Sequence, residues 1–233
     1  MKTDLVAFQL VRFLETRGVE KVFGLCGHTV IALLDAFRES RQIEYISVRH
    51  EQIAAHAADG YARGKGGGVP GVLMTHLGPG LTNATTGVAE AGLNSIPMVV
   101  IAGDIPSSYY GRHPHQEVNL HADASQFEIY RPFVKRAWRV DRPELLPDIL
   151  DKAFRLAVTG RPGPVLVSIP MDILSMELDV KFFERRYDNK PELPRPGMDS
   201  GTAEAIARRL GEAKTPVLYP DRKSTRLNSS HGS

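Results

Sequence analysis

The sequence predicts an α/β fold: a parallel sheet in a three-layer α/β/α arrangement, followed by the start of a second α/β domain. Three observations predict it. Short apolar runs recur along the chain, segments with apolar residues at helical spacing separate them, and glycine or polar residues cluster just after each run.

From Asp4 to Arg17, the residues Leu5, Val6, Phe8, Leu10, Val11 and Leu14 recur at helical spacing, and Gly18 ends the helix. Val22-Phe23-Gly24-Leu25 reads as a short buried strand. Val30 to Phe37 reads as a helix, Tyr45-Ile46-Ser47-Val48 as a strand, and His50 to Ala62 as an alanine-rich helix. Gly64 to Gly71 is a glycine-rich turn before the strand Val72-Leu73-Met74-Thr75. A helix is expected after Gly80 and a strand over Ile96 to Ile101. The polar stretch from Gly103 to Gln126 reads as a long loop with short helical pieces. Leu145 to Ala157 reads as a helix and Val165 to Ile169 as the last strand. Such alternation implies a parallel sheet covered on both faces, with ligands bound beyond the carboxyl ends of the strands. The loops starting at Gly24, His50, His76 and Gly103 are therefore expected to converge on one edge.

Residues 1–170 thus read as one domain. Residues 171–197, with Pro191, Pro194 and Pro196 among mixed charges, read as a linker. Residues 198–220 read as the truncated start of a central α/β domain, with a helix over Thr202 to Leu210 and a strand over Thr215 to Tyr219. Residues 221–233 hold one apolar residue, Leu227, and resemble translated adaptor sequence; this tail is expected to be non-native and is set apart from the fold.

Composition narrows the function classes. The 233-residue chain is 42% hydrophobic and 24% charged, which suffices for a core. Its formal net charge of +2 argues against nucleic acid or an acidic membrane surface as the main partner. Cys26 is the only cysteine, which rules out an internal disulfide and fits a reducing cytoplasm. The start carries Asp4 and no long apolar stretch follows, so no signal peptide and no membrane span are expected.

Two motifs fail on context. Gly66, Gly68 and Gly71 fit a dinucleotide fingerprint but precede a strand, so no helix N-terminus is there to receive a pyrophosphate. His50-Glu51 with His56 has a zinc-helix look, yet the second histidine falls six residues on and leaves the first one's face. His113, His115 and His121 cluster in a polar loop that lacks a cysteine or carboxylate at ligand spacing, so no metal ligand is named.

Read alone, Glu51 in a first helical turn complements the helix dipole. Its surroundings suggest more. Arg49-His50-Glu51-Gln52, with Ala54 to Arg63 after it, resembles the glutamate helix of thiamine-diphosphate-dependent enzymes, and is most similar to the acetolactate synthase type. Gly78-Pro79-Gly80 with Thr82-Asn83 resembles that family's glycine-proline-glycine turn. Ser95 to Gly103 resembles its next strand, Gln116-Glu117 its glutamine-glutamate pair, and Thr159 to Val165 its end-of-domain signature. The resemblance runs in order from Leu5 to Pro170 and weakly on to Tyr219.

The resemblance implies the pyrimidine-binding domain of a catalytic subunit that decarboxylates a 2-oxo acid, such as pyruvate, and ligates it to a second carbonyl in branched-chain amino acid biosynthesis. It implies thiamine diphosphate as cofactor, Mg²⁺ held by a Gly-Asp-Gly domain that this sequence lacks, and FAD in some members. It also implies a homodimer or homotetramer. Glu51 matches the carboxylate that hydrogen-bonds the pyrimidine nitrogen, and burial that favours its neutral form assists that exchange. Gln116 and His28 are the other expected catalytic residues. Gly27, Thr75, His76, Gly78, Pro79, Gly80 and Asn83 join Glu51 as expected cofactor contacts. Three departures from the family pattern bear on substrate: His28 where a glycine is common, His76-Leu77 where a small polar pair is common, and an insert between Gln116 and Arg131 that is longer than usual. His28 reads either as a titratable group on the substrate side or as a helix cap. His76 reads either as a site residue or as a buried, satisfied histidine. Cys26 reads as a small packed residue. A non-ligating decarboxylase of the benzoylformate type and a non-catalytic module of the same fold remain as alternatives.

Overall fold

The computed structural model describes residues 2–112, 116–117, 126–188 and 197–217. The chain divides into two units, Met1–Pro191 and Glu192–Ser233.

The first unit is built on a six-stranded sheet of β2 (Lys21–Gly24), β3 (Glu44–Ser47), β4 (Gly71–Thr75), β5 (Met98–Asp104), β6 (Ala137–Arg139) and β7 (Pro164–Pro170). The order is β3-β2-β4-β5-β7-β6 and every pairing is parallel. Side chains alternate between faces along each strand, and the apolar runs serve two cores. Val22, Val72, Met74, Val99, Ile101, Val165 and Val167 face one core, packed by α1 (Val6–Thr16), α2 (Ile31–Glu39) and α5 (Leu146–Val158). Phe23, Leu73, Met98, Val100, Ala102 and Leu166 face the other, under α3 (Glu51–Gly64) and α4 (Pro79–Leu93). The expected three-layer α/β/α architecture is thus present. Among the described residues, no helix is long and apolar enough to cross a membrane.

Three features depart from the sequence reading. The first helix begins at Val6 because Thr3–Leu5 form a strand, β1, paired antiparallel with β8 (Glu177–Asp179). Val165–Ile169 therefore lies in the sheet's last strand in sequence but not the chain's. Second, β6 was absent from the expected strands: three residues among arginines show no alternation that a pattern can register. Third, the expected linker is folded as far as Tyr187, with α6 (Met171–Leu174), β8 and α7 (Lys181–Tyr187). Tertiary contacts decide this. Gln9, fully buried on α1, donates from Nε2 to the carbonyls of Asp4 (2.9 Å) and Leu178 (2.8 Å), and Phe183 of α7 is fully buried.

In the second unit the described residues hold α8 (Ser200–Glu212), whose Asp199 caps it by accepting the Thr202 N–H at 2.9 Å. The strand expected over Thr215 to Tyr219 lies partly outside the described residues, and 215–217 carry none. The tail 221–233 lies outside them entirely, as do His113, His115 and His121.

Candidate functional site

In a parallel sheet all strand carboxyl ends share one edge, so Gly24, Ser47, Thr75 and Asp104 end together. The chain's connections reverse between the neighbours β2 and β4. The loop after β2 leads to α2 on one face, and the loop after β4 leads to α4 on the other. The crevice between those diverging loops is where such sheets bind ligands. Most of the expected site residues lie at it.

Glu51 begins α3 and is 6% exposed. His50 caps the helix, its Nδ1 accepting the Gln52 N–H at 3.2 Å. Asn83, one turn into α4, donates from Nδ2 to Glu51 Oε2 at 3.0 Å. The other oxygen, Oε1, faces Gly80: a Cβ built there would lie 3.6 Å from Oε1, 3.5 Å from Thr75 Cβ and 3.3 Å from His76 Cβ. Gly80 therefore leaves a bed ringed by Glu51, Thr75 and His76. Thr75 is fully buried and its Oγ1 has no hydrogen-bond partner. A buried hydroxyl without a partner is costly unless a ligand supplies one. Pro79 occupies the first position of α4, where its missing N–H costs nothing. Gly78 before it has φ 44° and ψ −95°, a conformation that L side chains rarely adopt.

A second cluster adjoins the first through His76. His76 Nδ1 lies 2.7 Å from Thr29 Oγ1 and Nε2 lies 2.8 Å from Gln116 Oε1. With the Gln116 carbonyl oxygen accepting from Nε2–H, Nδ1 accepts the Thr29 hydroxyl proton. Gln116 holds this position at φ 68°, unusual for a residue with a side chain. Gly27 is needed for the contact: a Cβ there would fall 2.3 Å from His76 Cγ. The exposed ring of His28 stands edge-on to His76 with centroids 4.5 Å apart. No side-chain cap bond joins His28 to the 3₁₀ turn His28–Val30 or to α2. His76 is thus buried and bonded at both nitrogens, as the satisfied-histidine reading expects, and its Cβ also faces Gly80. Cys26 is exposed, against the expectation of a packed residue.

Sequence reasoning passed over three residues at this edge: Thr29, Gln126 and Tyr130. No motif marks them, because their partners lie 47, 48 and 49 residues away in the chain. Asp104, at the end of β5, is buried and its carboxyl is pushed up, chiefly by that burial. Among the described residues, no three His, Cys, Asp or Glu side chains gather as a metal site.

The residues around Glu51 suit a flat, polar-edged heteroaromatic ring. A carboxylate oxygen and an unpartnered hydroxyl line one bed, and glycine removes the side chain that would fill it. The chain also resembles known proteins. The family model for the thiamine pyrophosphate enzyme, N-terminal TPP binding domain, matches residues 5–126. The chain is 40% identical over 225 residues to the acetolactate synthase large subunit of Buchnera aphidicola subsp. Schizaphis graminum, covering 96% of this chain and 38% of that protein. It is 38% identical to acetolactate synthase isozyme 3 large subunit of Escherichia coli K12, with 91% and 36% covered. It is 33% identical to the probable acetolactate synthase large subunit of Methanocaldococcus jannaschii, with 90% and 34% covered. The chain therefore spans little more than a third of the length of these relatives.

Proposed function

This chain belongs to the thiamine pyrophosphate enzyme family by its N-terminal TPP binding domain, and from that premise we propose that it supplies the pyrimidine-activating half of an acetolactate-synthase-like carboligase. The substrate class is a 2-oxo acid such as pyruvate, decarboxylated and joined to a second carbonyl. The observation that carries the reading is Glu51, a carboxylate buried at the sheet's carboxyl edge with one oxygen held by Asn83 and the other turned to a glycine bed.

Bound there, thiamine diphosphate supplies an acidic thiazolium carbon and an aminopyrimidine that can take its proton. Glu51 would hold the pyrimidine edge of the cofactor, its carboxyl serving as the acid–base partner there. Asn83 fixes the carboxylate plane. Thr75 offers its unpartnered hydroxyl to the ring's polar edge. Gly78, Pro79 and Gly80 shape the bed, and Gly27 lets His76 approach it. Gln116 and Thr29 orient His76, while His28 presents a titratable ring beside it. In this reading residues 1–170 form the core of the pyrimidine domain and residues 198–220 begin a central one. Mg²⁺, the diphosphate grip and any FAD belong to domains beyond this sequence, and a second copy of the chain completes the site in a homodimer or homotetramer.

The test uses a polypeptide that joins this chain to the remaining length its relatives have. Glu51→Gln should cut pyruvate consumption by about 10²-fold or more, the scale of a lost acid–base group, at unchanged melting temperature. Equal activity would remove Glu51 from the role and favour a binding module without catalysis. The exposed His28 ring, edge-on to His76, suits proton delivery on the substrate side, which favours a non-ligating decarboxylase as second reading. Product identity separates the two: acetolactate for the carboligase, free aldehyde for the decarboxylase.

A further inference from the structure

The bed beside Glu51 depends on the Gly78-Pro79-Gly80 turn, which starts from φ 44° at Gly78, where a glycine is needed. We propose that the 3₁₀ turn Gln126–Tyr130 is a two-point clamp on it, with Gln126 and Tyr130 as positioning residues for the cofactor bed. The functional meaning of the clamp rests on the reading of that bed given above.

The first point is Gln126. Its side-chain Oε1 accepts the Gly78 N–H at 2.7 Å, and its Nε2 donates to the Gly103 carbonyl at 2.9 Å and to Ser168 Oγ at 3.3 Å. The amide has one workable orientation. A backbone N–H can only donate and a carbonyl can only accept, so Oε1 must face Gly78 and Nε2 must face Gly103. Ser168 in turn donates to Asp104 Oδ2 at 2.8 Å, which leaves its lone pairs for Gln126. Asp104 Oδ1 accepts the Ile105 N–H at 2.8 Å. Gln126, Ser168 and Asp104 are all buried, so each bond is made in place of water. The network ties the turn to the ends of β5 and β7, two of the sheet's fully buried strands.

The second point is Tyr130. Its ring is fully buried in the core under α4, and its hydroxyl donates to the Leu81 carbonyl at 2.6 Å. Gly78 and Leu81 bracket Pro79 and Gly80. Both ends of the turn are thus fixed by one short piece of chain. What the turn carries is the geometry around Glu51: Gly80 opposite Oε1 and Asn83 on Oε2.

Gln126→Met keeps the side chain's length and removes both polar groups. Tyr130→Phe removes the hydroxyl alone. Amide hydrogen exchange in this chain, without cofactor, should quicken about tenfold at Gly78 in the first variant and at Gly80 and Thr82 in the second, the scale of one lost buried hydrogen bond. Val100 in the sheet should keep its protection in both. In the extended polypeptide, both variants should weaken thiamine diphosphate binding while Leu145→Ala, remote from the turn, should not. Unchanged exchange across Gly78 to Thr82 in a folded variant overturns the clamp. Should Gln126→Met fail to fold, Tyr130→Phe alone decides the matter. Absence of cofactor binding by the unsubstituted protein would count against the functional reading, while the exchange result would still decide the clamp.

Discussion

At the scale of single residues, the site is shaped as much by missing atoms as by functional groups. Gly27 has no Cβ, so His76 can lie against the backbone and reach both Thr29 and Gln116. Glu51 was legible in the sequence because its helix and the Gly78-Pro79-Gly80 turn each carry a local pattern. Asp104 was not, since Ser168 reaches it, and Gln126 reaches Ser168, only through the fold. Burial raises the Asp104 carboxyl above the ordinary aspartate value of 3.8. The folded state therefore binds this proton more readily than the unfolded chain does, and ionised Asp104 lowers stability at neutral pH. As pH falls through the folded-state value toward 3.8, that cost is relieved. Unfolding free energies should show the native protein gaining on Asp104→Asn over that window. A gap independent of pH would contradict this.

At the scale of elements, an ion pair joins pieces far apart in the chain. Arg17, at the end of α1, donates from Nη2 to Asp151 of α5 at 2.9 Å and to the Arg186 carbonyl of α7 at 2.9 Å. The two charged side chains are only 2% and 10% exposed. Leaving one buried charge without its partner costs about 3–5 kcal/mol, far more than an exposed pair contributes. Asp151→Ala should lower the unfolding free energy from urea titration by that order, and adding Arg17→Met should recover much of it. A loss under about 1 kcal/mol in the single variant would show that water already screens the pair. The same ties explain why residues 171–187 are folded. Their composition suggests a linker, but Arg17, Gln9 and β1 supply partners that composition cannot reveal. The strands β1, β6 and β8 escaped sequence reading for a related reason: each has three residues, too few for a period to show.

At the scale of the whole molecule, the candidate site lies along one edge of the sheet. Glu51, Asn83, Thr75 and the glycine turn gather on the sheet's edge, while nothing in the sequence offers a Gly-Asp-Gly diphosphate grip. In keeping with the proposed role, the chain by itself should form no acetolactate from pyruvate with thiamine diphosphate and Mg²⁺ present. Detection of acetolactate from the isolated chain would refute the idea of a half site. The sequence by itself determined the parallel α/β sheet, because apolar runs and helical periodicity are local and alternate in order. It also located Glu51 and the Gly78-Pro79-Gly80 turn, because each lies within a short contiguous pattern. Tertiary structure alone decided which groups hold that turn, why the stretch after Pro170 folds back, and how His76 is satisfied. Those outcomes depend on hydrogen bonds between residues far apart in the chain, and no local pattern encodes such pairings.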